Sequence, residues 1–409
     1  MFKALRIHWQ TRKPLGWAQL SHQKMRLLVA VTGVAFSNIL IFTQLGLRSL
    51  LFDGITLVPD RLRGDLFLVS AFAPTIDASG FSKVYLYQAD AVAGVAAASP
   101  LYISAAEWVN PLDLESEPAT AAADTPPIDL FPNTVKILAF NPVQPVLAIP
   151  EVNQQRHRLS IPDSVLYDRL AQDKLGPVPE LYAASGTVSS LMNNRRVQVV
   201  GLFSIGSTVF DNGHVVMSDW TFANRRGGAD VLNSVSVGVL TLEAGANLEQ
   251  VRSRLQRRLP DDVRVVTREE IIETEQAFRA AFPNGKILNF GAVMGFVVGV
   301  IVVYQVLYTD VNDHLPEYAT LKAMGYSDRA LLRVVLQEAL ILAVIGFVPG
   351  YLASQGVYVL LVQVTRIPLT MRNSVVAQVF VLTLVMCAVS GAIAVNKLRA
   401  ADPADVFKN

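Results

Sequence analysis

The sequence predicts an α-helical membrane protein with four transmembrane helices plus a large mixed α/β extracytoplasmic domain between helices 1 and 2. Three observations carry that prediction. The 409-residue chain is 52% hydrophobic and only 17% charged, against about 25% charged in an average soluble protein. Four apolar stretches are each long enough for a helix to cross roughly 30 Å of hydrocarbon. Between the first and the second, the chain from Phe52 to Gly285 has no further spanning run and shows strand and helix patterns instead.

Residues 1–26 form a basic cytoplasmic segment with Lys3, Arg6, Arg12, Lys13, Lys24 and Arg26 and no acid. Trp17 and Leu20 are placed at the headgroup level. Helix 1 is assigned to residues 27–51, of which Leu27 to Leu47 carry no charge. A cleaved signal peptide has a shorter apolar core and ends at small residues. Arg48-Ser49-Leu50-Leu51-Phe52 has no such site, so helix 1 is read as uncleaved. Residues 52–285 form the extracytoplasmic domain. Asp65–Ser70, Lys83–Tyr87, Thr134–Ile149, Arg196–Phe203 and Val235–Leu242 read as strands, and another begins at Val215–Met217. Pro111–Asp129, rich in Pro, Ala and acids, reads as a loop. Ala246-Asn247 leads a helix with Leu248, Val251, Leu255 and Leu259 on one face, and Val263–Val266 returns as a strand, a βαβ-like unit. Arg252, Arg254, Arg257 and Arg258 on that helix are either a docking patch or a solvated face, the latter favoured. Arg268–Phe282 is helical and runs into helix 2.

Helix 2 covers residues 286–309, with Gly291, Gly295 and Gly299 four apart. Residues 310–333 return to the cytoplasm. Helix 3 covers 334–363, where Gly346 and Gly350 repeat the spacing and Pro349 predicts a bend. A short external loop, 364–373, precedes helix 4 at 374–396 and a tail at 397–409. Glycine four apart clears a stripe on which a second helix can approach closely; the spacing does not say which helix. Asn38, Gln44 and Gln305 can hydrogen-bond between helices. Glu338, just inside helix 3, is costly in lipid and faces either protein or interfacial water. The predicted cytoplasmic segments hold twelve Lys and Arg; the short external loop holds two, Arg366 and Arg372. That asymmetry places both termini in the cytoplasm.

The net charge of +1 argues against a nucleic-acid surface. The single cysteine, Cys387, is read as a packing residue. The five histidines are scattered, and no metal-ligand spacing or nucleophile motif is present, so no catalytic residue, metal or cofactor is assigned to this chain. Gly285-Lys286 has Ala280 where a phosphate-binding loop needs its first glycine. If ATP drives this protein, another chain binds it.

Within 310–333, Pro316 suits a first helical turn. Tyr318, Leu321 and Met324 follow at helical spacing, and Gly325 can end the helix. This segment is either an interfacial helix with no partner or the contact for a cytoplasmic motor.

Several motifs bear on that choice. Pro316-Glu317-Tyr318-Ala319-Thr320-Leu321-Lys322-Ala323-Met324-Gly325 precedes helix 3, Gln337-Glu338-Ala339-Leu340 opens it, and Asp402-Pro403-Ala404-Asp405-Val406-Phe407 follows helix 4. Leu15–Leu20 precedes helix 1. In these motifs and in its layout the chain resembles the MacB/FtsX-like (type VII) ABC-transporter permeases, closest to the cyanobacterial DevC-type exporter permease. His314 and Leu315 stand near the point where many members carry Arg-x-x-Glu. The resemblance implies an exporter permease subunit in the bacterial inner (plasma) membrane with a MacB-like periplasmic domain. It implies a homodimer, and a cytoplasmic ABC ATPase subunit that binds ATP and Mg and contacts Pro316, Glu317, Tyr318, Leu321, Lys322, Met324 and Gly325. It further implies a periplasmic membrane fusion (adaptor) protein, a TolC-like outer-membrane channel and a lipid-like cargo, glycolipid in DevC-type systems. Relatives of the same layout include FtsX-like signal transmitters that activate a periplasmic partner, and lipoprotein-release permeases.

Overall fold

The computed structural model describes residues 24–114, 133–281, 283–313, 324, 328–365, 369 and 371–399. In chain order, helix α1 (Lys24–Thr56) is followed by β1 (Leu66–Ser70), β2 (Phe81–Ser82), α2 (Lys83–Asp90), β3 (Val95–Glu107) and β4 (Thr134–Phe140). Then come α3 (Pro150–Gln155), β5 (Ser164–Asp168), α4 (Val178–Ser185), β6 (Val188–Met192), β7 (Arg195–Phe203), β8 (His214–Ser218) and α5 (Asp219–Arg225). The series continues through β9 (Ser234–Val235), β10 (Val237–Leu242), α6 (Leu248–Arg258), β11 (Val263–Val266) and α7 (Arg268–Ala281). It closes with α8 (Pro283–Asp313), α9 (Asp328–Thr365) and α10 (Asn373–Arg399). Two compact units result, one built on Leu50–Pro283 and the other on the long helices.

The Leu50–Pro283 unit is built on a nine-stranded sheet in the order β11-β1-β10-β3-β4-β8-β5-β7-β6. Its first four strands form two interlocked split βαβ units. β10 lies between β1 and β3, the strands joined through α2; β1 lies between β10 and β11, the strands joined through α6. Every pairing among these four is antiparallel. The sheet continues because β3 is long. Its first half pairs with β10, and Leu101–Glu107 pairs with β4. Beyond that point the sheet is mixed, with β4–β8 and β5–β7 parallel.

Strand side chains alternate between the two faces, and both faces are covered, so the strands read as nearly continuous apolar runs. On β1, Leu66 and Leu68 join the layer under α2, α5 and α6, with Leu86, Phe222, Val251 and Leu255. Phe67 and Val69 point the other way, toward Leu62, Leu147, Val152, Leu159 and Ile271.

Three expected strands differ in the structure. Lys83–Tyr87 begins helix α2, because the Ser82 side chain accepts the Val84 N–H as an N-cap and Leu86 and Ala89 both turn inward. Thr134–Ile149 is a strand only to Phe140; Pro150 starts α3. Val235–Leu242 is broken at Ser236, and Val235 pairs with Phe81 in a separate two-stranded sheet. α6 forms as expected, capped by Asn247. Arg252 is bound by Glu270 at 2.7 Å, and Arg254 and Arg257 donate to carbonyls of Ala93 and Ser253.

A charged cluster sits where α7 meets the loops at one end of the strands. Lys136 Nζ on β4 lies 3.0 Å from Asp77 and 2.8 Å from Asp211. Burial opposes the lysine charge, but the two carboxylates raise its pKa above the ordinary value. Glu275 of α7 is 4% exposed and its Oε1 accepts the Ile76 N–H at 2.8 Å. Burial pushes its carboxyl above the usual range, against the hydrogen bond from Ile76. A raised folded-state pKa adds stability below the ordinary glutamate value of about 4.3, and that contribution is lost as pH rises through the folded-state value. Glu275→Gln keeps the acceptor without the charge. Its Tm relative to the parent chain should therefore increase as pH is raised from about 4.3, the ordinary glutamate value, through the folded-state value. A difference in thermal unfolding that stays flat over that range contradicts this account.

Candidate functional site

Among the described residues, four helices are long and apolar enough to cross a membrane: Leu27–Arg61, Phe290–Asp313, Leu332–Gln363 and Asn373–Val395. Within the helical unit, α1 is the element the others close on. A Cβ placed on Gly291 of α8 would meet Gln44 at 2.6 Å, one on Gly295 would meet Ile41 at 3.3 Å, and one on Gly299 would meet Met386 of α10 and, at 3.0 Å, Ser37 of α1. The positions rise on one helix as they fall on the other, so α1 and α8 run antiparallel. A Cβ on Gly346 of α9 would meet Val34 at 2.6 Å, and one on Gly350 would meet Asn38 at 2.8 Å. Here both numbers rise together, and α9 runs parallel to α1. Both glycine stripes thus face the same helix of the same chain. Helix α9 continues through Pro349.

Polar groups also join helices of this unit. Asn38 is fully buried and accepts the Thr383 hydroxyl of α10 at 2.6 Å. Tyr358 of α9 donates to the Phe42 carbonyl of α1 at 2.7 Å, and Ser390 of α10 donates to the Val300 carbonyl of α8 at 2.9 Å. Hydrogen bonds of this kind are each worth about 0.6 kcal/mol in a membrane bundle, with about 1.7 kcal/mol as an upper case. Gln44 packs on Gly291, and Gln305 supplies its carbonyl to Thr309.

Glu338 lies on the buried stripe of α9 that also holds Val335, Ala339, Leu342, Ser354 and Tyr358, and it is fully buried. Of the two settings open in the sequence, the protein-facing one is what the helix phase produces: 335, 338, 342 and 346 follow one another at one-turn spacing.

Val311 of α8, Val335 of α9 and Val395 of α10 form a small apolar cluster with Leu332. The end of α8 and the start of α9 therefore lie together at one end of the bundle, beside the last turns of α10. Met324 is 64% exposed. Pro316, Glu317, Tyr318, Leu321, Lys322 and Gly325 lie outside the described residues, as do Asp402–Phe407 and Trp17. Sequence reasoning missed Thr383 and Ser390, which look like ordinary small residues of an apolar helix. It also missed Lys136 and Glu275, which are far apart in the chain.

Residues 289–403 match the family model described as FtsX-like permease C-terminal. The matched FtsX-like region takes in most of α8, the segment after it, α9 and α10. No curated protein matches the chain. Among solved structures, the chain is similar to the periplasmic region of MacB from Actinobacillus actinomycetemcomitans, at 10% identity over 52% of this chain and 93% of that one, with a TM-score of 0.33. It is also similar to the extracellular domain of the noncanonic ABC-type transporter YknZ from Gram-positive bacteria, at 11% identity over 50% of this chain and 100% of that one, with a TM-score of 0.30.

Glycine contact gives a direct test of the helix packing. Leucine at 295 must displace Ile41, an overpacking that costs about 1–3 kcal/mol. Gly295→Leu should lower the thermal stability of the chain in detergent. Gly356→Leu, where a Cβ meets nothing within 4 Å, should leave it unchanged. Equal behaviour of the two variants contradicts the packing.

Proposed function

We propose that this chain is the permease subunit of an ABC-type exporter. The observation that carries the reading is the match of residues 289–403 to the FtsX-like permease C-terminal family. That stretch contains the bundle end where α8, α9 and α10 meet at Val311, Val335 and Val395. A separate cytoplasmic ATPase binds ATP and Mg and docks on residues 310–333, centred on Glu317 to Gly325. Two copies of the chain pair in the inner membrane, with both termini in the cytoplasm. ATP-driven movement passes along the helices to the Leu50–Pro283 unit, which stands in the periplasm. There it works with an adaptor and a TolC-like channel, as in DevC-type systems, to move a lipid-like substrate outward. The excess of Lys and Arg in the termini and in 310–333 supports this orientation.

An FtsX-like transmitter that activates a periplasmic partner uses the same docking segment and moves no substrate; the name of the matched family keeps this second reading in view. Lipoprotein release is a variant within transport. An adaptor gene beside the ATPase gene favours export, and a cell-wall hydrolase gene favours transmission.

Coupling between two sites of this kind is worth about 5–150-fold. Glu317→Lys and Leu321→Asp should leave the chain in the membrane and reduce its stimulation of the partner ATPase within that range. If capture of the ATPase and its stimulated turnover are both unchanged in the two variants, the docking assignment is wrong.

A further inference from the structure

The chain enters the Leu50–Pro283 unit through the end of α1, residues 50–56, and leaves it through α7. Both segments are fastened to the sheet by one set of contacts. α7 is held at three heights. Arg268 donates to the Leu62 carbonyl at 2.9 Å, Glu275 accepts the Ile76 N–H at 2.8 Å, and the Arg279 guanidinium lies 3.9 Å from the centre of the Phe210 ring. Ile76 and Phe210 belong to two loops, 71–80 and 204–213. Lys136 joins those loops, because Asp77 lies on the first and Asp211 on the second.

The second loop is braced within itself and at its base. Thr208 Oγ1 accepts the N–H groups of Phe210 and Asp211 at 3.0 and 2.9 Å. Buried Asp168 of β5 accepts those of Ile205 and Gly206 at 3.2 and 2.8 Å. Thr208 also packs on the entering helix so closely that a Cβ on Gly54 would lie 2.9 Å from it. A buried charge set of this kind is no aid to bulk stability, since apolar residues of similar volume do as well or better. What it does supply is one geometry, because moving either carboxylate away leaves the Lys136 charge in a nearly closed site.

We propose that Lys136 is the centre of a clamp that fastens residues 50–56 and α7 to the sheet, so that a displacement of α7 is carried into the sheet and not absorbed in the two loops. The purpose of the clamp rests on the permease reading; its existence does not, and the experiment uses this chain alone.

Nitroxide labels on cysteines replacing exposed Val143 and exposed Glu273 of α7, in the full chain in lipid nanodiscs, report the distance between the sheet unit's surface and α7. The parent chain should give one narrow distribution. Lys136→Met should broaden it by about twofold or more as the loops open locally, and Glu275→Gln, which keeps the acceptor for Ile76, should not. Hydrogen exchange in β3 and β10 serves as the folding control. Unchanged width in Lys136→Met with normal exchange in those strands overturns the clamp. If Lys136→Met unfolds the sheet, Phe210→Ala decides: broadening supports the clamp and parental width overturns it. Neither result bears on ATPase docking, which the Glu317 and Leu321 variants test separately.

Discussion

The bundle depends on how closely α1 approaches α8 and α9. Apolar side chains gain nothing by leaving lipid for one another, so packing contact and hydrogen bonds must hold such helices together. Glycine at 291, 295, 299, 346 and 350 lets backbone and short side chains of α1 come into contact on two sides. The Asn38–Thr383 bond then ties α1 to α10 across 345 residues of sequence. Helix α1 is therefore the one that three later helices close on. It must wait for the whole Leu50–Pro283 unit to be synthesised before its partners exist. A polar Asn at a fully buried position also selects one register, since a shift of one turn would part its Oδ1 from the Thr383 hydroxyl.

The Leu50–Pro283 unit solves a different problem, in water. Two split βαβ units share a sheet with a five-strand extension, and β3 is the hinge of that arrangement because it pairs with β10 along one half and β4 along the other. Helices and loops cover both faces, so the strands are apolar on both sides. Lys136, Glu275 and Asp168 are among its buried charges. They fix two loops to the segments through which the chain enters and leaves.

Much of this was legible in the sequence, for physical reasons that differ by region. The long helices were readable because lipid demands long uncharged runs, and the glycine stripes because their spacing equals a helical turn. The partner of the stripes was not readable: Ser37 and Ile41 are unremarkable residues until the helices are placed side by side, and Gln44 stood out only as able to hydrogen-bond between helices. Lys83–Tyr87 misled because Val84, Leu86 and the tyrosines mimic strand alternation, while the decisive signal was the single cap at Ser82. The clamp was out of reach for another reason. Asp77, Lys136, Asp211 and Glu275 belong to four separate elements, and nothing local marks any of them. Glu338 was recognised as unusual, but only the phase of α9 shows that it faces inward.

The most direct test of the bundle is a cysteine pair, one replacing Ile41 and one replacing Gly295, in a chain whose Cys387 has been changed to alanine. Oxidation in native membranes should give a disulfide within a single chain, visible as a monomer of altered mobility on a non-reducing gel. If the pair forms only chain-to-chain dimers, or does not react while a control pair does, α1 does not lie in the glycine groove of its own chain and the packing account is wrong.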